Sequence, residues 1–580
     1  MSRSALSLCL LLAPVALSLP QHAATNRTNG PSCRYLPQDA QWPSPQSWSQ
    51  LNATVQGRLL PGEPLAHVCH GADHDAAACA DLAAHWTEQA PYASDPVSIM
   101  SPFWANNSCT PFTGPAAPCL QGNYASYAIN VSSAADVVAG LQFARQSNVR
   151  VQVKNTGHDY LGRSTGQGSL ALWTHNLKTI RFLNYTSDRY TGPAAKLGAG
   201  VQAFEVYPAA AAHGLRVVGG YCPTVGIAGG YLQGAGHGPL LGTYGLAADN
   251  TLEVEVVTVQ GKHLVASPTQ NADLFWALNG GGGGNYGVVL SVTTRAHRDG
   301  PVAGASLTVL PTARANDTEA HWRVVAAWHR HLLYLDTLPG FTSVYHISST
   351  SFQLSQATYA DHGVADIQRA LDPFLTQVRQ LGFNYTLETN VQTSYYDHYV
   401  KYNPKLPYGS YFNNETIGGR LISRDAVRTN LPQVVQAIRR IANSGAGTFV
   451  NGVAGNANRA RSSSNVPGTN AVLPAWRDAL YHLIIEIVYP GDAPSAQLVR
   501  VQSDMNGHQE LLRAASPVGG AYINEATFDN AHWKEDYFGA NYDKLLRVKK
   551  RYDPQFVLYG PASVGSDTWV RASDGRLCRK

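Results

Sequence analysis

Hydrophobic positions recur in two rhythms along this chain of 580 residues. From Tyr124 to about residue 294, short apolar runs alternate with helical patterns. Residues 134–146 place Val137, Val138, Leu141 and Phe143 on one apolar side and predict a helix. The β-branched run 149–154 predicts a strand, as do 170–173, 217–218 and 288–294. Residues 252–259 alternate, turn at Gln260-Gly261 and return through 263–266, a hairpin pattern. After Pro301 the texture changes. Residues 319–335 put Trp322, Val325, Ala326, His329 and Leu333 at helical spacing, with His329 and His331 read as core or helix-surface histidines. Helices are also predicted at 367–381 and 426–444, and strands at 341–352, 449–453 and 483–489. The polar stretch 455–471 reads as a loop. A last helix, 537–552, ends at Asp553-Pro554, and its Lys544, Arg547, Lys549, Lys550 and Arg551 read as a solvated face. Strands mixed with helices in this way predict an α+β layer.

The N-terminal end sets the compartment. Arg3 precedes an apolar stretch, 5–17, followed by small residues, which predicts a signal peptide over 1–19 and a secreted protein. Glycosylation sequons at Asn26, Asn52, Asn106, Asn130, Asn184, Asn316, Asn384 and Asn414 agree. Residues 20–120, rich in Pro, Ser and Ala, read as a loop-rich leader held by disulfides. Of eight cysteines, Cys9 leaves with the signal. Cys69–Cys79 and Cys109–Cys119 would close short loops and Cys33–Cys578 would join the ends, one pairing among several open to six cysteines. Cys222 is left over in mid-chain. Cys69, His70, His74 and Cys79 are read as disulfide surroundings rather than a zinc site, and no metal is expected.

Composition narrows the classes. The chain is 44% apolar and 14% charged, with net charge +4, so neither disorder nor nucleic-acid binding is indicated. No apolar run reaches the ~18 residues of a membrane helix. A monomer without membrane or nucleic-acid partners is expected.

Three glycine-rich segments carry the chemistry. They are Lys154 to Ser164 (KNTGHDYLGRS), Gly219 to Gly238 (GGYCPTVGIAGGYLQGAGHG) and Asn279 to Gly287 (NGGGGGNYG). Dense glycine costs folding entropy and needs a compensating reason, either close approach of a flat ligand to the backbone or glycine-rich turns in an ordinary sheet. No Rossmann fingerprint or Walker loop is present.

With GLAADN at 245–250, and YINE and YFGANYDKLLRVKKRYDP near the end, these segments resemble the berberine-bridge-enzyme-like branch of the vanillyl-alcohol-oxidase flavoproteins, nearest its fungal secreted members. The resemblance implies a two-domain α+β flavoprotein. Its FAD-binding domain is split between 121–300 and 521–580, around an inserted antiparallel-sheet substrate domain, 301–520, backed by helices. It implies FAD bonded covalently through both His158 and Cys222. The loop of Lys154, Asn155, Thr156, Gly157 and His158 would cradle the pyrophosphate, Thr224, Gly226, Gly229 and Gly230 would line the ring, and Asn524 would join the cofactor contacts. Val225, in place of a bulkier residue three after the cysteine, implies an oxidase using O2. Tyr522 matches the family's catalytic tyrosine position and needs a lowered pKa to act as base. Glu486 is a second candidate base, or else a charge on the solvent face of an edge strand. Tyr160 and His237 are candidate substrate contacts, and Asp159 is expected to orient the His158 loop. Tyr395, Tyr396, Tyr399 and Tyr408 either line an aromatic cleft or pack a core. The chain departs from the family at Tyr35 and Gln41, within a usually cysteine-denser segment, and at His237, where many plant relatives have tyrosine.

The implied reaction passes hydride from an alcohol, sugar or secondary-metabolite intermediate to FAD and then reduces O2 to H2O2. Two alternatives are oxidative cyclisation or desaturation in a biosynthetic pathway, and a non-catalytic secreted glycoprotein that binds a ligand on the same fold.

Overall fold

The computed structural model describes residues 33–312, 318–409, 414–445, 447–458 and 470–580. The expected signal peptide, the sequons at Asn26 and Asn316, and most of the 455–471 loop lie outside them. The described chain is α+β in two domains.

The first sheet is formed by β1 (Leu59–Pro61), β2 (Tyr127–Asn130), β3 (Arg150–Lys154) and β4 (Ser169–Trp173), in the order β1-β2-β4-β3. β2, β4 and β3 are parallel. β4 is buried at every position, as a central parallel strand requires. Helix Ala134–Gln146 crosses over between β2 and β3. Asp136, in its first turn, accepts from the backbone N–H groups of Ser132 and Ser133 and from Arg58, so a charged side chain ends an otherwise exposed row of donors.

The second sheet is antiparallel: β5 (Ile180–Ser187), β6 (Tyr190–Gly198), β7 (Leu215–Val217), β8 (Thr251–Val257), β9 (His263–Ala266) and β10 (Val288–Arg298), in the order β5-β6-β10-β8-β9 with β7 on the far end of β10. The predicted β8–β9 hairpin forms. The β5–β6 hairpin was not predicted, because this edge is largely solvated and lacks an apolar alternation. The C-terminal segment returns here: Leu558 bridges to Val151 of β3, and helix Tyr542–Tyr552 packs into the core behind the second sheet.

The third sheet has seven strands: β11 (Val302–Leu310), β12 (Phe341–Ile347), β13 (Phe352–Ala360), β14 (Asn384–Gln392), β15 (Glu415–Ser423), β16 (Thr448–Gly455) and β17 (Ala479–Val488). Its order is β14-β11-β13-β12-β16-β17-β15, antiparallel throughout. Helices Thr318–Leu335, Val364–Gln380, Leu431–Ala442 and Ser495–Ala515 cover one face. Trp328, fully buried, anchors that layer against Tyr345, Phe352 and Phe374. The opposite face turns towards the first two sheets, and His329 and His331 are both buried in the helical layer.

Several expectations are corrected. Residues 341–352 form two strands, because Ser348 and Ser351 close a turn between them. Residues 426–444 form two helices, Arg424–Thr429 and Leu431–Ala442, since Pro432 begins a new first turn. The terminal helix is likewise split, into Trp533–Phe538 and Tyr542–Tyr552, at Gly539. The leader is not only loop: helix Pro45–Thr54 packs beside Ala134–Gln146, and β1 extends the first sheet. All three expected disulfides form, and among the described residues Cys222 is the free cysteine. His70 gives its Nε2 to the Thr110 carbonyl. Tyr395 and Tyr399 pack in the core against Tyr207.

Lys549 does not belong to a solvated face. It is fully buried, and its Nζ donates to Asp553 and to the carbonyls of Asn285 and Leu558. Asp553 in turn accepts from the N–H groups of Val557 and Leu558, so this one pair shapes the last return of the chain. Truncating one partner leaves a buried charge alone. Lys549→Met is therefore expected to lower stability by about 3–5 kcal/mol, read by chemical denaturation. A loss below about 1 kcal/mol, the scale of an exposed pair, would place the lysine in solvent.

Candidate active site

Where the open face of the third sheet meets the glycine-rich loops, the protein forms a cleft of ≈ 500 Å³, within the range of ligand pockets. All three glycine-rich segments contribute to its lining.

The first loop leaves β3 at Lys154. Lys154 itself points away: its Nζ donates to the carbonyls of Tyr92 and Asp95 in the leader, and burial pulls its pKa down to about 8. It is thus a strut behind the loop and not part of the lining. Asn155, Thr156, Gly157 and His158 do line the cleft. Asp159 accepts from the N–H groups of Leu161 and Ser164 and from the Ser164 hydroxyl, which fixes the turn after His158 as expected. Burial, helped by Lys154, depresses the His158 imidazole to about 3, so it is neutral at any working pH. Its Nε2 lies 2.8 Å from Thr224 Oγ1.

The second loop brings Cys222, Val225, Gly226, Gly229 and Gly230 to the same wall. Thr224 stays behind it, buried, bonded to His158 and to Gln89, which corrects its expected place beside the ring. Burial pushes the Cys222 thiol up to about 11.

The lining suits a flat, polar-edged cofactor. A Cβ on Gly226 would lie 2.7 Å from Asn155 Oδ1, and one on Gly283 would lie 2.8 Å from Gly230 Cα, so no side chain can fill the space a ring would take. Asn155 Oδ1, Gln233 Oε1 and Arg163 Nη2, all from lining residues, are buried without a hydrogen-bond partner. Unpaired buried polar atoms are costly, and the edges of an isoalloxazine and a pyrophosphate would satisfy such groups.

The opposite wall is acidic. Glu486 on β17 lies opposite Ile417 of β15, and Glu415 sits two residues further along the same face. β17 runs between β16 and β15. Glu486 is therefore not on an edge strand's solvent face; it faces the cleft. Burial raises its pKa to about 7. Burial, and then Glu486, raise Glu415 as well, and Tyr160 Oη donates to Glu415 Oε1 at 2.9 Å.

At the inner end, Glu525 is gripped by two histidines. His237 Nε2 lies 3.0 Å from Oε1 and His482 Nε2 lies 2.9 Å from Oε2. Burial opposes ionisation of Glu525, but His237 and then His482 outweigh it and hold the carboxyl well below the usual range. The three side chains lie close enough to share an ion. Both Nε2 atoms face the carboxylate within hydrogen-bond distance, so the three side chains form a hydrogen-bonded clamp.

Tyr522 lies against His237, and Asn524 Nδ2 donates to its hydroxyl at 2.8 Å and to the Gly230 carbonyl at 2.9 Å. Burial, and then Glu525, push the Tyr522 phenol well above its usual value. That is opposite to what a base requires, so Tyr522 enters as a proton-bearing phenol.

The structure thus brings Tyr160, His237, Glu486 and Tyr522 into one cleft with His158 and Cys222. Sequence reasoning missed Glu415, His482, Gln89 and Glu525. Glu525 stood within the YINE motif, and Glu415 stands two residues before Ile417 in a strand alternation. Gln89 had no local signal.

A two-domain fold with this cleft defines a flavin-dependent oxidoreductase. The chain belongs to the VAO-type, berberine-like flavoprotein family. Residues 125–267 match the FAD binding domain family and residues 521–565 match the family described as Berberine and berberine like. It is 44% identical to the VAO-type flavoprotein oxidase VAO615 of Thermothelomyces thermophilus over 98% of both chains. It is 40% identical to the bifunctional decalin synthase calF of Penicillium decumbens, again over 98% of both. The crystal structure of the VAO-type flavoprotein MtVAO615 from Myceliophthora thermophila C1 superposes with a TM-score of 0.90 at 42% identity, covering 95% of this chain and 100% of that one. Relatives named as enzymes set aside the non-catalytic reading. No helix among the described residues is long and apolar enough to cross a membrane.

Proposed function

We propose that this protein is a secreted oxidase whose FAD is bonded to both His158 and Cys222, and that it takes hydride from a hydroxyl-bearing carbon and passes the electrons to O2, giving H2O2. The observation that carries this reading is the facing of His158 and Cys222 on one wall by the Glu415–Glu486 pair on the other, across ≈ 500 Å³. Within it, the FAD-binding part spans 121–300 and 521–580, and 301–520 forms the substrate domain. The formed disulfides favour an oxidising compartment.

FAD, when bound, supplies the hydride acceptor. The chain does the rest. Asn155, Thr156 and Gly157 offer backbone and side-chain polar groups to it, and Gly226, Gly229 and Gly230 allow close approach. Neutral His158 offers a ring nitrogen lone pair for bonding. Glu486, ionised above about pH 7, takes the substrate hydroxyl proton. Glu415, kept protonated beside it and fixed by Tyr160, holds a second substrate oxygen. Tyr522 keeps its proton and offers its phenol O–H as a hydrogen-bond donor to the reacting oxygen, and His237, held by Glu525, borders the same space. Ile417, Val453 and Ile484 form an apolar cluster beside the two carboxyls on the sheet side of the cleft.

The experiment is oxygen consumption with stoichiometric H2O2 across a panel of alcohols, oligosaccharides and polyketide-type alcohols. Val225 lines the cleft three residues after Cys222, the position at which the resemblance ties a small side chain to O2 use, so Val225→Leu is expected to slow reoxidation by O2 while leaving anaerobic reduction unchanged. Equal aerobic rates in the two proteins would remove the oxidase reading. Oxidative cyclisation is a second reading, favoured by the relative named as a decalin synthase; a ring-closed product from a linear substrate would select it.

A further inference from the structure

Gln89 belongs to the leader, at the start of the short helix Ala90–Ser94, but its side chain makes no capping bond there. It is 3% exposed and lines the cleft together with His158 and Cys222. Its Oε1 accepts from Thr224 Oγ1 at 2.5 Å and from Cys222 Sγ at 3.3 Å. Thr224 Oγ1 is also 2.8 Å from His158 Nε2.

Proton counting makes this chain directional. A hydroxyl carries one proton. Thr224 gives its proton to Gln89, so the contact with His158 must be Nε2–H donating to Oγ1. His158 is thereby held as the tautomer whose lone pair is on Nδ1. Cys222 Sγ lies 3.3 Å from the same amide oxygen and 3.5 Å from Thr224 Oγ1, and the shorter contact, to Gln89, takes the S–H. The segment bearing Gln89 is itself pinned, since Lys154, four residues before His158, donates to the carbonyls of Tyr92 and Asp95.

We propose that Gln89 is a positioning residue for both flavin bonds, setting the His158 tautomer through Thr224 and aiming the Cys222 thiol directly. This rests on the two-bond reading above. In the first bond, the His158 Nδ1 lone pair joins the 8α carbon of FAD. One hydrogen leaves that carbon and one leaves the imidazole, and O2 takes the two protons and the electron pair as H2O2. In the second, Cys222 Sγ joins C6; the thiol and ring hydrogens leave in the same way, with another O2 as oxidant. Depressed basicity of His158, from burial, keeps the attacking imidazole free of a second proton.

The test is site-resolved mass spectrometry of the full-length protein as expressed, reading the fraction of His158 and Cys222 peptides that carry flavin. In Gln89→Leu, Thr224 is free to donate to His158 Nε2, which moves the ring proton to Nδ1. Both fractions are expected to form at least about tenfold more slowly. Gln89→Glu keeps an acceptor oxygen and is expected to form both bonds. Thr224→Val is expected to lose the His158 bond and keep the Cys222 bond. Wild-type rates for both bonds in Gln89→Leu would overturn the proposal. If that variant fails to fold, Thr224→Val with an intact His158 bond, or Gln89→Glu with neither bond, overturns it. A wild-type protein lacking one of the two bonds removes the two-bond reading itself, independently of any variant.

Discussion

Acid precipitation of the wild-type protein is expected to leave the flavin colour in the pellet, and His158→Ala combined with Cys222→Ala is expected to move all of it to the supernatant. The contrast is large because a covalent bond survives denaturation and a cleft does not. Each single variant keeps one bond and so keeps its colour in the pellet. The two side chains differ in readiness. His158 is neutral and already presents a lone pair. Cys222 is held as a thiol by burial and needs its proton removed before sulfur can attack. The His158 bond is therefore expected to form first, and Cys222→Ala to retain flavin more fully than His158→Ala. Colour retained in the pellet of the double variant would mean that a different residue makes the bond.

Glu486→Gln is expected to lower kcat by about 10²–10⁴-fold, the usual contribution of a positioned base. Glu486 ionises near pH 7 because burial disfavours its charge. A base works only when ionised, so kcat/KM of the wild-type protein is expected to rise with pH through about 7 and then level off. In the Gln variant that rise disappears. A rise that persists in Glu486→Gln would place the base elsewhere, with the His237–Glu525 pair next in line. Stability moves the other way. The folded protein binds more protons than the unfolded chain between the ordinary 4.5 and about 7, so the carboxyl's stability contribution is full below that window and is lost as pH rises through it. Glu486→Gln removes this loss and is expected to melt higher than wild type above pH 7, where its activity falls furthest below that of wild type. A site that is costly to keep ionised is consistent with a functional carboxylate rather than a structural one.

Much of the fold was legible where a local rule sufficed. The crossover helix Ala134–Gln146 and the β8–β9 hairpin announce themselves through periodicity and a turn. The compartment pointed to disulfides and spacing suggested the two short loops, while the pairing itself stayed open until the fold brought Cys33 to Cys578. Elements failed where solvent or a neighbour changes the rule. The β5–β6 edge hairpin has too few apolar positions to show a period of two. Lys549 looked like one more cation on a basic helix, and only the packed return of the chain makes it a buried partner of Asp553. The cofactor wall was legible in outline from its glycine-rich motifs. Lys154 and Thr224 were misplaced by one layer, because a motif names neighbours in sequence and cannot say which side of the wall each side chain takes.

By itself the sequence determined the family and the α+β class, and it marked His158 and Cys222 as the expected flavin anchors with the glycine loops beside them. These are local: strand, turn and residue type lie within about twenty positions of one another. The tertiary structure alone decided the proton chemistry. It set Glu415 beside Glu486, gripped Glu525 between His237 and His482, raised the Tyr522 phenol and brought Gln89 to Cys222 and to Thr224, the partner of His158. The reason is physical: a pKa is fixed by burial and by charges within a few ångströms, and those neighbours come from segments hundreds of residues apart.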